Sequence, residues 1–475
     1  MSKFYFNIIV SVLFIFGLSA SLQSVYSQNA FDSYLEKDSL YRYNSSLRAL
    51  DSIISSSIIH SVHDSDFYSS YGKAEMLSLS QMIYFALNNN PQLKSMQYRI
   101  DAEMIRSNEY SALPDPMFEF ETDDVASDFK KVGMINFYVS QTFPFPGKLE
   151  LSRKSAMNSA DIIEQEHHDM EVTLINKVKN NFYDLYFLNR RLDINRENQL
   201  VVKNFTTATE SRYSVGKGMQ QEVFKAQIEL SKLKNEEFIL TQSRKNIFSE
   251  LTSLTKIVID ESTRISYANV DVDYLLNQDS FNSEDMSVNT LIDYALEHRA
   301  DLKAIGKKVL MDNTELESSK LSRFPDFSLK LGYKILPFED KNAFDFMVGI
   351  TIPFAPWSSG KYDAMIQKNI INIKATTSDY DTKRNEIRNE VTSAYNSLQS
   401  GREAMRYYYS VLIPQTENTL KATQNAYESD LTTFLDLLDS YKMYQEAKLM
   451  YYESMNMYLK TITELEKAAG LNLKN

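Results

Sequence analysis

The stretch RYSVGKGMQQ, residues 212–221, decides how this chain is read. Its Gly216 and Gly218 are the only glycines between Gly147 and Gly306, and no proline occurs between Pro146 and Pro325. Glycine and proline are the strongest breakers of regular structure. The flanking segments, 149–212 and 220–256, are rich in Glu, Lys, Asn, Gln, Leu and Ala, so they read as two long antiparallel helices joined at Gly216–Gly218. At about 1.5 Å per residue the first would be roughly 95 Å long. No ordinary globular core needs that length, which points to a coiled coil, a helical repeat or a helical tube.

The same punctuation recurs. YFALNNNPQLKS (84–95) resembles DYALEHRADLKA (293–304), and LPDPMFEF (113–120) resembles FPDFSLKL (324–331). QTFPFPGK (141–148) resembles ITIPFAPWSSGK (350–361), and the stretch around Tyr213 resembles that around Tyr427. Lys148 to Tyr213 is 65 residues and Lys361 to Tyr427 is 66, so the offsets are nearly constant. A unit of about 200 residues in tandem is the simplest reading, too long a period for a solenoid. The divisions are a repeat over 79–258, a linker over 259–288 and a second repeat over 289–475. Pro414 should kink or locally end the second long helix.

Between the paired landmarks the period changes to two. Phe327, Leu329, Leu331 and Tyr333 oppose Asp326, Ser328, Lys330 and Lys334; Phe344, Phe346, Val348 and Ile350 oppose Asp345, Met347 and Gly349. Phe118 and Phe120 oppose Glu119 and Glu121, while Ile135, Phe137 and Val139 oppose Asn136, Tyr138 and Ser140. Such alternation argues for strands with one apolar face, at about 114–123, 132–143, 325–335 and 343–353. Four strands cannot close a membrane barrel, and open edges are not tolerated in lipid. Either they form a soluble sheet or several chains pool their hairpins. ETDDVASDFKK (121–131) and LPFEDKN (336–342) read as polar hairpin tips.

The 475-residue chain opens with Lys3, an apolar run to about Ala20, and small residues Val25 and Ser27 at cleavage spacing, the layout of a secretory signal peptide over 1–27. That leader and the load of 30 tyrosines and 27 phenylalanines favour pooling at a membrane. An arm, 28–78, follows. There is no cysteine, so neither disulfides nor cysteine lipidation are available. The formal charge is −12, which argues against a nucleic-acid partner. Beyond the leader no apolar run approaches 18 residues, so no spanning helix is expected.

The tandem repeat, the hairpins ending in FPFPGK and PFAPWSSGK, the tip YSVGKGMQQEVFKA and the stretch from AYESDLTTFLDLLDS through KAAGLN together resemble the TolC family of outer-membrane factors, over about residues 79–470. The resemblance implies a mainly α fold with a small β part. Three chains would each give four strands to a twelve-stranded outer-membrane barrel, and their helices would form a periplasmic tube closed at the hairpin tips. It implies a homotrimer acting with a periplasmic adaptor (membrane fusion) protein and an inner-membrane transporter, without a cofactor. The function implied is the exit duct of a tripartite efflux pump for drugs or metal ions, or that of a type I protein secretion system. Phe118, Phe120, Ile135, Phe137, Val139, Phe327, Leu329, Leu331, Phe344, Phe346, Val348 and Ile350 would face lipid.

The same resemblance aligns Asp436 and Asp439 with an aspartate pair that rings the inner mouth, with Glu222 at the matching place in the first repeat. Three apart, they share a helix face. Read without it, they are a helix start with two charges, or the carboxylate pair of a secreted hydrolase; no third polar group nearby supports the hydrolase. Tyr213, Gly216, Val223, Tyr427, Asp430 and Leu437 mark the tips, where the adaptor would dock. Asp430 stands where Gly216 stands in the first tip, a residue that tolerates left-handed backbone better than most. Met443, Met450 and Met457, with Tyr444, Tyr451 and Tyr458 and with Ala447, Ser454 and Thr461, repeat every seven residues and read as a packing seam. His60 and His63 read as surface residues, and the adjacent His167 and His168 are expected to point apart, so no metal site is expected.

Overall fold

The computed structural model describes residues 76–123, 134–267, 287–336 and 341–471, all within one compact unit, Val62–Asn475. The expected leader, most of the arm with His60 and His63, most of the linker and the middles of both hairpin loops lie outside the described residues.

Two short helices, α1 (Leu79–Asn89) and α2 (Pro91–Ser111), lead into strands β1 (Met117–Asp123) and β2 (Met134–Phe143). Then come α3 (Lys148–Ser214) and α4 (Gln220–Thr255). The order recurs as α5 (Val288–His298), α6 (Ala300–Leu321), β3 (Phe327–Leu336), β4 (Lys341–Ile350), α7 (Ser359–Tyr407), α8 (Ile413–Glu428) and α9 (Phe434–Ala469). The 67 residues of α3 make a rod about 100 Å long. Between α7 and α8 runs a five-residue π turn, Tyr408–Leu412. Pro414 cannot donate to the carbonyl four residues back, and the widened turn absorbs that loss, so the rod continues rather than ending.

The rods are held by polar ties between helices. α6 lies along α3 through Asn158 to Thr314 (3.1 Å) and Lys307 to Asp161 (2.8 Å). α9 runs antiparallel to α3: Asn176 donates to the Thr463 carbonyl (3.1 Å), Lys460 pairs with Asp184 (2.9 Å) and Tyr441 donates to Asn198 (2.9 Å). Between them Lys179 and Glu466 form a 2.7 Å ion pair with both side chains buried.

The seven-residue rows of α9 separate. Tyr451, Tyr458, Ala447 and Ser454 are buried, but Met443, Met450 and Met457 are 53%, 39% and 58% exposed. The methionine row is therefore not a seam within this chain. Seven residues at 100° each return almost to the same face, so the methionines line one stripe just off the buried one.

The sheet has the order β1-β2-β3-β4, antiparallel throughout. β2 pairs with β3, which unites the two halves, and β1 and β4 are left as edges. The halves also meet where strands become helices. Asp326 accepts from the Phe145 N–H (2.8 Å) and from Lys148 (2.7 Å), and the Phe145 and Phe324 rings stack at 4.7 Å.

Candidate functional site

The two tips are built alike. At the first, Gly216 takes φ +74°; its N–H bonds the Tyr213 carbonyl (3.0 Å) and the Lys217 N–H bonds that of Arg212 (2.8 Å). At the second, Asp430 takes φ +54°; its N–H bonds the Tyr427 carbonyl (3.1 Å) and the Leu431 N–H bonds that of Ala426 (2.8 Å). Both are Schellman ends, whose left-handed residue is usually glycine. Asp430 occupies it with compensation from across the gap: Arg212 of the first tip pairs with its carboxylate at 2.6 Å and lies 5.1 Å over the Tyr427 ring. Beside that guanidinium the Asp430 carboxyl is held below its usual range. Arg212 joins the tips, and sequence reasoning missed it; the one available signal was a lone cation beside Tyr213.

The helices leaving the tips also start alike. Three residues into α9, Asp436 closes a capping box with Thr433: its N–H donates to the Thr433 hydroxyl (3.3 Å) and its carboxylate accepts the Thr433 N–H (3.0 Å). Three residues into α4, the Glu222 carboxylate accepts the Met219 N–H (3.4 Å). Every bond to the Asp436 carboxylate, including those from the Thr432 and Thr433 hydroxyls (2.7 Å each), goes to Oδ2. Those donors hold its pKa below the ordinary carboxylate value. Oδ1 keeps no partner among the described residues, and Asp439, one turn on, is also exposed. The cap thus engages Oδ2, while Oδ1 of the same delocalised carboxylate stays open.

Between the tips, Phe434, Leu438 and Ala226 form a buried cluster, with Phe205 and Tyr427 packed against it. Val223 and Leu437, expected on the docking face, are buried at 8% and 4%. They correct that expectation: with i,i+3/i+4 geometry they fall on the apolar stripe that packs hairpin to hairpin. Tyr213, Val215, Met219, Phe224 and Leu431 are large apolar groups exposed at this end.

At the sheet, one face gathers the expected apolar residues by cross-strand pairing: Phe118 opposite Val139, Val139 opposite Leu331, and Leu331 opposite Phe346. Phe137, Tyr333 and Phe344 pair likewise, as do Leu329 with Val348 and Phe327 with Ile350; Phe120 pairs with Phe137. None of the twelve is buried, and Phe344 is 85% exposed. The other face is polar. Lys330 pairs with Glu119, Lys334 with Asp345 (2.6 Å), and Asn136 donates to Asp123 (2.9 Å). Tyr138 lies flat beside Gly332, where a Cβ would collide with its ring. A soluble sheet would bury the apolar face and wet the polar one; this sheet does the reverse.

His167 and His168 do not point apart. Their ring centroids are 6.0 Å apart and both Nδ1 atoms turn to Glu171. Adjacent helical residues diverge by 100°, but a carboxylate three and four positions on lies between them.

An inside-out sheet carried on rods about 100 Å long is the arrangement of a membrane sheet whose apolar face meets lipid. Residues 291–471 match the family model described as "Outer membrane efflux protein". It is 22% identical to the outer membrane protein TolC of Vibrio cholerae over 83% of this chain and 90% of that one. It is 22% identical to the toxin and drug export protein A of Aggregatibacter actinomycetemcomitans, over 70% and 71%. Its fold matches the open-state MtrE outer membrane channel of Neisseria gonorrhoeae with a TM-score of 0.68 at 15% identity, covering 82% of this chain and 88% of that one.

Proposed function

We propose that three copies of this chain pool their sheets into a twelve-stranded barrel and form the outer-membrane exit duct of a tripartite efflux pump. The observation that carries this reading is the open sheet with its large apolar residues outward and both edges, β1 and β4, unpaired among the described residues. Lipid tolerates no unpaired edge. Strand direction alternates from β1 to β4, so β4 of one copy meets β1 of the next antiparallel and any number of copies closes evenly. The count of three rests on the resemblance to the TolC family. The exposed methionine stripe of α9 becomes the seam between copies.

The tandem halves then place two tips per chain at the inner end, where Oδ1 of Asp436 and the carboxylate of Asp439 line the mouth and Glu222 adds charge. Three copies gather six aspartates, a ring that favours cations and repels anions. Arg212 holds the tips together, and the mouth widens when the hairpins untwist and that link parts. The exposed Tyr213, Met219 and Leu431 offer the adaptor its contact, and an inner-membrane transporter supplies the energy. The cargo is small toxic solutes, drugs or metal ions; a relative named for toxin as well as drug export keeps protein secretion as the second reading.

The test is single-channel recording in a planar bilayer under a salt gradient. Wild type should prefer cations, and Asp436→Asn with Asp439→Asn should lose most of that preference. Unchanged selectivity would remove the aspartates from the mouth.

A further inference from the structure

The sequence HHDME, residues 167–171, lies on α3 twenty residues from its start, about 30 Å along the rod from the sheet. The tips are some 45 residues further on, so this turn is remote from the acidic mouth. His167 and Glu171 are four apart and His168 and Glu171 three apart, and the carboxylate sits between the imidazoles. His167 Nδ1 is 3.9 Å from Oε1 and His168 Nδ1 is 3.2 Å from Oε2. One potential ligand atom from each of the three falls within 4.8 Å of the others.

We propose that His167, His168 and Glu171 hold one divalent transition-metal ion of the Zn2+, Cu2+ or Ni2+ class. Around a tetrahedral ion with bonds of about 2.0–2.2 Å, ligand atoms stand about 3.3–3.6 Å apart. The imidazole–carboxylate distances of 3.9 and 3.2 Å already lie on either side of that spacing. Two imidazoles and a carboxylate suit these ions over Mg2+ or Ca2+, which favour all-oxygen shells. The set also has an inside and an outside. The side chains of His167 and Glu171 are 15% and 12% exposed, whereas that of His168 is 48% exposed. The ion approaches past His168, and water takes its fourth position. The matching positions of the second half, Tyr380, Asp381 and Arg384, carry no such set, so the site belongs to the first half alone.

The site does not depend on the transport reading. The test uses untagged, metal-stripped full-length protein in detergent, with Asp436→Asn and Asp439→Asn removing the acidic mouth, titrated with ZnCl2 by calorimetry. One ion per chain should bind, unaffected by excess MgCl2. His168→Ala, at a half-exposed position that does not threaten folding, and the size-matched Glu171→Gln should each weaken binding by roughly tenfold or more. With CuCl2, electron paramagnetic resonance should show two imidazole nitrogens, falling to one in His168→Ala. Equal binding by wild type and both variants, or displacement by MgCl2, would overturn the assignment and leave the turn a histidine–carboxylate ion pair.

Discussion

The chain has a single tryptophan, Trp357, in the turn between β4 and α7, and it is 89% exposed. Ile352 and Phe354 beside it are 57% and 71% exposed. If the sheet spans a bilayer, this cluster is the aromatic girdle at its inner rim. The height follows from the strands. β4 has ten residues; at about 3.4 Å each that is roughly 34 Å, and a tilt near 40° reduces it to about 26 Å, the height of a barrel's apolar band. The inner end of β4 should therefore lie about 13 Å from the bilayer midplane, with Trp357 at or just beyond that depth. The assay is tryptophan fluorescence of protein reconstituted into phosphatidylcholines brominated at graded depths, with Trp357→Phe as the blank. Quenching should be strongest for bromines near the headgroup end of the chains and weaker for those near the midplane. Access of aqueous acrylamide in vesicles equal to that in unfolded protein, with no quenching by any brominated lipid, would refute insertion of the sheet.

Three other outcomes follow from the geometry. Glu466→Ala strands the buried Lys179 ammonium, which should cost about 3–5 kcal/mol, read by denaturant melting of the helical circular dichroism; replacing both partners with Met and Leu should recover most of it. Met450→Glu puts a charge in the middle of the exposed α9 stripe and should shift the detergent-solubilised protein to smaller assemblies by sedimentation, whereas an unchanged size would place the stripe away from any seam. The depressed pKa of Asp436 means its charge and its cap are fully present above the ordinary carboxylate value of about 3.9 and lost only as pH falls through the lower folded value. Cation preference should accordingly hold down to about pH 4, and its disappearance at pH 6 would contradict the capped geometry.

The long rods and the strands were legible because their signals are local: the absence of breakers over 149–212, and alternation such as FDFMVGI. Which of the tip residues face outward was not. Val223 and Leu437 are neighbours of the polar tips in sequence, and only the packing of α4 against α3, and of α9 against α3 and α8, turns them inward. Arg212 was invisible because its partners lie more than 200 positions away. The methionine row was legible as a stripe, but a period of seven does not say what covers it, and within one chain nothing does. The histidine pair misled because adjacency was weighed without the carboxylate that both rings can reach.

The central claim is that separate copies of this chain complete one another's sheet. The native protein lacks cysteine, so Glu121→Cys on β1 and Met347→Cys on β4 supply a unique pair, treated with a short bismaleimide in outer-membrane vesicles. The account predicts a ladder on denaturing gels that ends at three linked chains and fails to form with either single cysteine. Monomers only, or a ladder running well beyond three, would contradict a closed barrel of three copies.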